Sequence, residues 1–179
     1  PASGIQLFSI TGKNDRNIDF KSYDELWKAW ETALKFYSDL AVDCDLVCDR
    51  SLKHFDADAF ASATINCSLE RGKTLKNGGA EYDYVSQSNI GPSVVGDSLA
   101  AVKKLVFDDK VITMKQLRDA MDTNFEGIEG AKIRKLCRQA PKFGNDIDYV
   151  DNIVADVYES YLALLPNYHT DRYGCGPKG

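Results

Sequence analysis

Long apolar runs, clustered basic residues and histidine are all scarce in this chain of 179 residues. Purely apolar stretches reach about four residues, as at Leu162–Leu165, against the roughly 20 that span a bilayer. No Lys/Arg cluster is present to hold anionic lipid. The net charge is -5, whereas nucleic-acid affinity depends mainly on positive charge that contacts the phosphates. The sequence therefore predicts neither a membrane partner nor a nucleic-acid partner.

Cysteine is present in an odd number and at long spacings, without a signal peptide before it. This usage favours reduced thiols, so we expect a cytoplasmic protein. The cysteines are Cys44, Cys48, Cys67, Cys137 and Cys175.

The two ends of the sequence are unusual for a complete domain. The chain opens on Pro1 rather than Met, and it stops in a loop-forming run over Gly174–Gly179. We interpret the chain as a piece of a longer protein, although its length alone would suit a single domain.

Apolar periodicity and helix-end signals predict a helix-rich chain after an irregular segment at residues 1–19. Ser22–Glu25 and Thr113–Gln116 have the spacing of capping boxes. A loop is expected over Ser86–Gly96, which contains Gly91-Pro92. The predicted helices span residues 23–52, 57–71, 97–107, 113–124, 129–139 and 146–165.

One strand is predicted at Ala80–Val85, directly after the turn signal Asn77-Gly78-Gly79. Aromatic residues alternate there with carboxylates, which is typical of a strand with one packed face. The two glycines indicate a close approach of the backbone to a neighbouring group. A lone strand leaves both edges unpaired, so its partners are expected outside this chain.

Two local motifs resemble ligand sites. Gly72-Lys73-Thr74 has the end of a phosphate-binding loop, but Cys67 occupies the position of its first glycine, which favours a helix stop. Cys44 and Cys48 lie four residues apart on the first helix. They suit either a metal site shared with His54 or Cys67, or the buried apolar stripe of that helix.

The remaining polar candidates carry weak signals. The histidines, His54 and His169, lie in different segments, with no nearby residue type that activates a Cys–His pair. Asp146, Asp148 and Asp151 lack the central glycine of a calcium loop. Carboxylates at the start of a helix explain them, because they favour the positive end of its dipole.

Four segments, in order, resemble the glycyl radical enzymes, and most closely the glycerol and diol dehydratase branch of the pyruvate formate-lyase-like group. The segments are 20–26 (FKSYDEL), 78–83 (GGAEYD), 97–107 (DSLAAVKKLVF) and 140–152 (APKFGNDIDYVDN).

The resemblance implies an α/β fold: a helix-rich part of a ten-stranded barrel, with one or two strands in this segment, and residues 1–179 as an internal part of one barrel domain. It implies a thiyl radical that abstracts a substrate hydrogen before a C–O or other C–heteroatom bond breaks. The Gly-Cys-x-Glu and Arg-Val-x-Gly-Tyr motifs of the family are absent from residues 1–179. We therefore assign no catalytic, cofactor-binding or metal residue, and we expect the chain alone to be inactive.

The resemblance also implies partners and scaffold roles. No dissociable cofactor is expected, because the glycyl radical lies outside this segment. The implied partners are the rest of the parent enzyme, a radical S-adenosylmethionine activating enzyme, a small-molecule substrate and a second copy in a homodimer, in an anaerobic cytoplasm. Gly78 and Gly79 would turn the chain into the barrel, Tyr82 and Tyr84 would flank it, and Gly144–Asp146 would begin the last helix.

The sequence departs from its relatives at Val85–Pro92, which puts the substrate in question. Two alternatives stay open. One is a non-catalytic helical module that binds a partner through Trp27 and Trp30. The other is a metal protein that uses Cys44, Cys48 and Cys67.

Overall fold

A computed structural model describes residues 20–83 and 89–169, and over these ranges the regular structure is helical. The predicted entry segment at residues 1–19 lies outside the described residues. Single 3-10 turns occur at Leu75–Asn77 and Leu165–Asn167, and a π-helical segment, Lys103–Asp108, continues α4. The helices are α1 (Tyr23–Phe55), α2 (Ala59–Thr64), α3 (Ser68–Arg71), α4 (Pro92–Val102), α5 (Met114–Asp122), α6 (Gly127–Gln139) and α7 (Asp148–Leu162).

The chain divides into two compact units. Of the described residues, unit 1 contains 20–33 and 90–160, and unit 2 contains 34–83, 89 and 161–169. None of the described helices combines the length and apolar character needed to cross a bilayer.

Unit 1 has a first core cluster between α4, α7 and the start of α1. Trp27 and Trp30 pack against it with ring centroids 4.9 Å apart. Gly96 makes the contact close, because a Cβ at this position would lie 2.3 Å from Val154 Cγ2. The buried residues of the cluster are Leu99, Ala100, Val150, Ile153, Val154 and Val157.

A second cluster in unit 1 lies between the π-helical segment, α5 and α6. The Thr113–Gln116 capping box is confirmed: Gln116 N donates to Thr113 Oγ1 at 3.2 Å, and Thr113 N donates to Gln116 Oε1 at 2.8 Å. Its buried residues are Leu105, Ile112, Leu117, Ala120 and Ile133.

The first capping box forms only in part. Glu25 N donates to Ser22 Oγ at 3.2 Å as predicted, but the Glu25 carboxylate accepts from Lys21 N at 2.8 Å rather than from the Ser22 amide.

The π-helical segment carries a polar network at the edge of the first cluster. Tyr149 donates its hydroxyl to Asp108 at 2.8 Å, and Lys103 pairs with the same carboxylate at 3.2 Å. The Lys103 ammonium also lies 4.8 Å from the centre of the Tyr149 ring. Burial, followed by the bond to Asp108, raises the pKa of Tyr149. The network therefore links this segment to α7.

The predicted loop over Ser86–Gly96 is wrong in its second half, because α4 begins at Pro92. Gly91 is the N-cap residue and adopts φ +83. The ring of Pro92 fixes φ at a helical value, and its missing N–H costs no hydrogen bond, because an N–H at the first helical position has no partner within the helix. Residues 86–88 of that loop lie outside the described residues.

The predicted helix over 57–71 is also wrong, because it is interrupted. Ile65 is extended (φ -96, ψ 133) and ends α2, and Cys67 then takes a left-handed conformation (φ 72) before α3. A β-branched side chain favours the extended geometry at Ile65.

The predicted strand at Ala80–Val85 is wrong over its described residues, which form bends at 80–82. The backbone there is satisfied locally rather than by a strand ladder. Glu81 N donates to Asn66 O at 3.2 Å, and the Arg71 guanidinium donates to Ala80 O at 2.6 Å. Tyr84 and Val85 lie outside the described residues.

The predicted burial of Cys44 and Cys48 is wrong as well, since both are exposed. Within unit 2, α1 buries Ser38 and Val42 instead. Two residues correspond to about 200° around a helix, so Cys44 lies on nearly the opposite side from Val42.

We predict that Gly96→Ala destabilises the first cluster by about 1–3 kcal/mol, because the added methyl group overlaps Val154. Urea unfolding followed by tryptophan fluorescence reports directly on this cluster, where both tryptophans pack. In a Val154→Ala background the same substitution should cost less, since the obstructing methyl group is gone. An equal cost in both backgrounds would contradict the proposed contact.

Candidate functional site

The segment that the sequence singled out, Gly78–Asp83, lies in unit 2 after the end of α3. Gly72 ends α3 in a left-handed conformation (φ 60), and its amide donates to Leu69 O at 3.1 Å. The interpretation of Gly72-Lys73-Thr74 as a helix stop is therefore confirmed. A 3-10 turn follows, and Gly78 (φ 74) ends it.

The chain reverses direction over residues 74–82, which we call the glycine turn. Its backbone is most closely packed at Gly79. A Cβ at Gly79 would lie 2.1 Å from Lys73 O and 2.7 Å from Thr74 O. Its amide donates to Thr74 O at 2.9 Å. The predicted close approach of the backbone is confirmed, and the group approached is the chain's own main chain.

Arg71 holds the exit of the glycine turn. Its guanidinium donates to Ala80 O at 2.6 Å and to Gly79 O at 3.5 Å. Sequence reasoning missed this residue, because its partners lie eight and nine positions away and no local pattern marks them.

Ser62 on α2 and Asp56 in the link before α2 hold the entry of the glycine turn. Leu75 N donates to the buried Ser62 Oγ at 3.0 Å, and Ser62 Oγ donates to Asp58 O at 2.7 Å. Lys76 forms an ion pair with Asp56. Polar contacts therefore hold the glycine turn at its entry, through Ser62, and at its exit, through Arg71.

A shallow cavity of about 310 Å³ opens between the glycine turn and the end of α2. Its titratable lining side chains are those of Glu81 and Tyr82. This arrangement supplies hydrogen-bonding groups but no nucleophile paired with a base. Its lining residues are Thr64, Ile65, Asn66, Ala80, Glu81 and Tyr82.

The proposed thiolate site does not form in the part of the chain that the structure describes. No group of three or more His, Cys, Asp or Glu side chains is arranged there to hold a metal ion. Cys44, Cys48 and Cys67, with or without His54, therefore do not form such a group. Cys175 lies outside the described residues.

The carboxylates at residues 146–151 belong to a helix start, as predicted. Asp148 is the first residue of α7, and Asp151 Oδ2 accepts the amide of Ile147 at 3.1 Å. Asp146 precedes the helix in a left-handed conformation (φ 56). His54 and His169 are both exposed.

Comparison with known proteins places these features in a family context. The model of the family described as "Pyruvate formate lyase-like" matches residues 1–177. The chain is 40% identical to the probable dehydratase YbiW of Escherichia coli K12 over 162 residues, covering 90% of this chain and 20% of that protein. It is 35% identical to trans-4-hydroxy-L-proline dehydratase of Clostridioides difficile, over 90% of this chain and 20% of that protein.

A solved structure is similar in fold to most of this chain. The B12-independent glycerol dehydratase from Clostridium butyricum superposes with a TM-score of 0.80 at 33% identity. The match covers 89% of this chain and 20% of that one. The chain thus spans about a fifth of the length of the relatives that it matches.

We predict that Gly79→Ala opens the glycine turn, because its methyl group meets backbone carbonyls that cannot move independently. Hydrogen exchange over residues 74–82 should accelerate strongly, with a loss of local stability above about 2 kcal/mol. Gly72→Ala is the matched control. It meets open space and carries only the cost of a left-handed alanine, about 1 kcal/mol. Equal protection in the two variants would contradict the close approach at Gly79.

Proposed function

Because this chain belongs to the pyruvate formate lyase-like family and resembles its glycyl radical enzymes, we propose that it is an internal segment of a glycyl radical dehydratase or lyase. The observation that carries the proposal is the family match over residues 1–177, together with dehydratase relatives of which the chain covers only 20%. In the parent enzyme the segment is scaffold: a helix-rich part of the wall of one ten-stranded barrel domain.

The proposed reaction follows from radical chemistry outside this segment. A cysteine thiyl radical takes a hydrogen atom from a substrate carbon, so that a C–H bond breaks and an S–H bond forms. The substrate radical then loses water or another heteroatom group from the adjacent carbon. The cysteine returns the hydrogen atom to the product radical, which restores the thiyl radical.

The dehydratase branch is supported by two of the similar proteins. The probable dehydratase YbiW and the glycerol dehydratase share 40% and 33% of residues with it. We propose a small polar substrate with a hydroxyl group next to the carbon that loses hydrogen. Because the sequence departs from its relatives at Val85–Pro92, the proposal commits to this substrate class and not to one compound.

The proposed partners follow from the same assignment. They are the rest of the parent chain, a radical S-adenosylmethionine activating enzyme and a second copy in a homodimer. We propose an anaerobic, cytoplasmic enzyme without a dissociable organic cofactor. The acidic balance of the chain supports the expectation that it binds no nucleic acid.

The alternative of a helical module that docks through Trp27 and Trp30 has less support. Both indoles are partly buried against the first core cluster, so the face proposed for a partner is used within unit 1.

We predict that the full-length polypeptide containing this chain, activated anaerobically, cleaves a C–O bond of a small polyol or hydroxy amino acid. A panel of glycerol, propane-1,2-diol and trans-4-hydroxy-L-proline, read by product mass spectrometry, tests this. Loss of water from at least one substrate is expected, and the 179-residue chain under the same conditions should show none. An activated enzyme that converts none of the panel would contradict the dehydratase assignment.

A further inference from the structure

A basic cleft on α6 lies apart from the glycine turn and takes no part in the proposed function. Within unit 1, the cleft encloses about 340 Å³ beside the last turns of α6. We call it the α6 cleft. Its lining residues are Phe125, Ala131, Arg134, Lys135, Arg138 and Gln139.

Helical spacing places the three cations on one face. Arg134 and Arg138 are four residues apart and Lys135 and Arg138 are three apart, which are the separations of neighbouring side chains on a helix. Their charged ends therefore surround the same opening.

The charge of the α6 cleft is uncompensated. No acidic residue is among its lining side chains, and none of its three cations forms an ion pair with a described residue. Lys132, on the same helix but outside the cleft, lies 4.0 Å from Glu129. A chain with a net charge of -5 thus carries, at one point, three cations that have no ion pair among the described residues.

Phe125 gives the cleft a fixed apolar floor. Its backbone is left-handed (φ 60), its amide donates to Ala120 O at 2.6 Å, and its side chain packs against the second core cluster. Gly130 permits this position, because a Cβ there would lie 2.6 Å from the Phe125 carbonyl carbon. The cleft therefore combines a rigid aromatic base with a cationic rim.

The helix dipole explains only part of this arrangement. Cations near the end of a helix are favourable, but the effect falls off within the last turn. Arg138 lies in the last turn of α6, whereas Arg134 and Lys135 lie before it. The dipole therefore favours one of the three cations, Arg138.

We propose that the α6 cleft docks an acidic segment of a partner protein, with carboxylates on Arg134, Lys135 and Arg138 and an apolar side chain on Phe125. Guanidinium groups bind carboxylates through paired hydrogen bonds, which gives orientation as well as attraction. Because the cleft is open and its cations are exposed, several linked carboxylates hold better than one small anion. Nucleic acid is disfavoured by the negative charge of the whole chain.

The test uses the full-length polypeptide and a fluorescein-labelled peptide of sequence EELEE, followed by fluorescence anisotropy. Arg134→Gln/Arg138→Gln should raise Kd about tenfold, and Arg134→Lys/Arg138→Lys should recover only part of the binding, because an ammonium group keeps the charge but not the paired hydrogen bonds. The matched control, Lys115→Gln/Lys132→Gln, removes the same charge from exposed positions outside the cleft and should change Kd less than about twofold. Binding should weaken when salt rises from about 50 to about 300 mM.

Three results would overturn the proposal. The peptide does not bind; the two glutamine variants weaken binding equally, which indicates attraction to net charge alone; or tripolyphosphate displaces the peptide at equal concentration, which indicates a site for small anions. All of these are binding measurements without radical activation. They therefore stand or fall independently of the proposed enzymatic function.

Discussion

The approach of α4 to α7 at Gly96 is the contact on which unit 1 depends. Without a side chain at this position, α4 comes close enough for Val154 to occupy the space of a Cβ. The first core cluster forms around that contact, and the start of α1 then covers it with Trp27 and Trp30. The same contact brings the π-helical segment within reach of α7, where Tyr149 meets Asp108.

Unit 2 is held together differently. Among its described residues the buried apolar side chains are Val42 and Tyr161, and the buried polar ones are Ser38, Ser62 and Ser68. Its order comes from hydrogen bonds such as Tyr168 to Asp39 at 2.7 Å, and burial followed by this bond raises the pKa of Tyr168 to about 12. Large side chains such as Phe55 and Phe60 stay 91% and 85% exposed. A unit with so little apolar burial suits a scaffold segment of a larger enzyme.

Local signals predicted the helices well, because caps and periodicity are properties of neighbouring residues. Thr113–Gln116 is an example, and the stop at Gly72 is another. The predictions fail where a residue type occurs both in loops and at helix starts, or where a residue's hydrogen-bond partner is far away in the sequence. The sequence predicts Pro92 in a loop, but it begins a helix. In place of the predicted strand, the Arg71 guanidinium binds the carbonyl of Ala80. Cys44 is predicted on the buried face of α1 from its spacing, but within unit 2 this helix buries Ser38 and Val42, and Cys44 is exposed. The candidate site could be located from its glycines, whereas Arg71 and the α6 cleft required the structure.

The central claim is that this chain is scaffold in a glycyl radical enzyme whose radical lies elsewhere. The most direct measurement joins segments by split inteins, so that within the full-length protein only the segment corresponding to this chain carries glycine labelled with carbon-13 at the α-carbon. After activation, electron paramagnetic resonance should show a glycyl radical without carbon-13 splitting. A radical signal split by carbon-13 would place the radical on one of the 13 glycines of this chain and contradict the account.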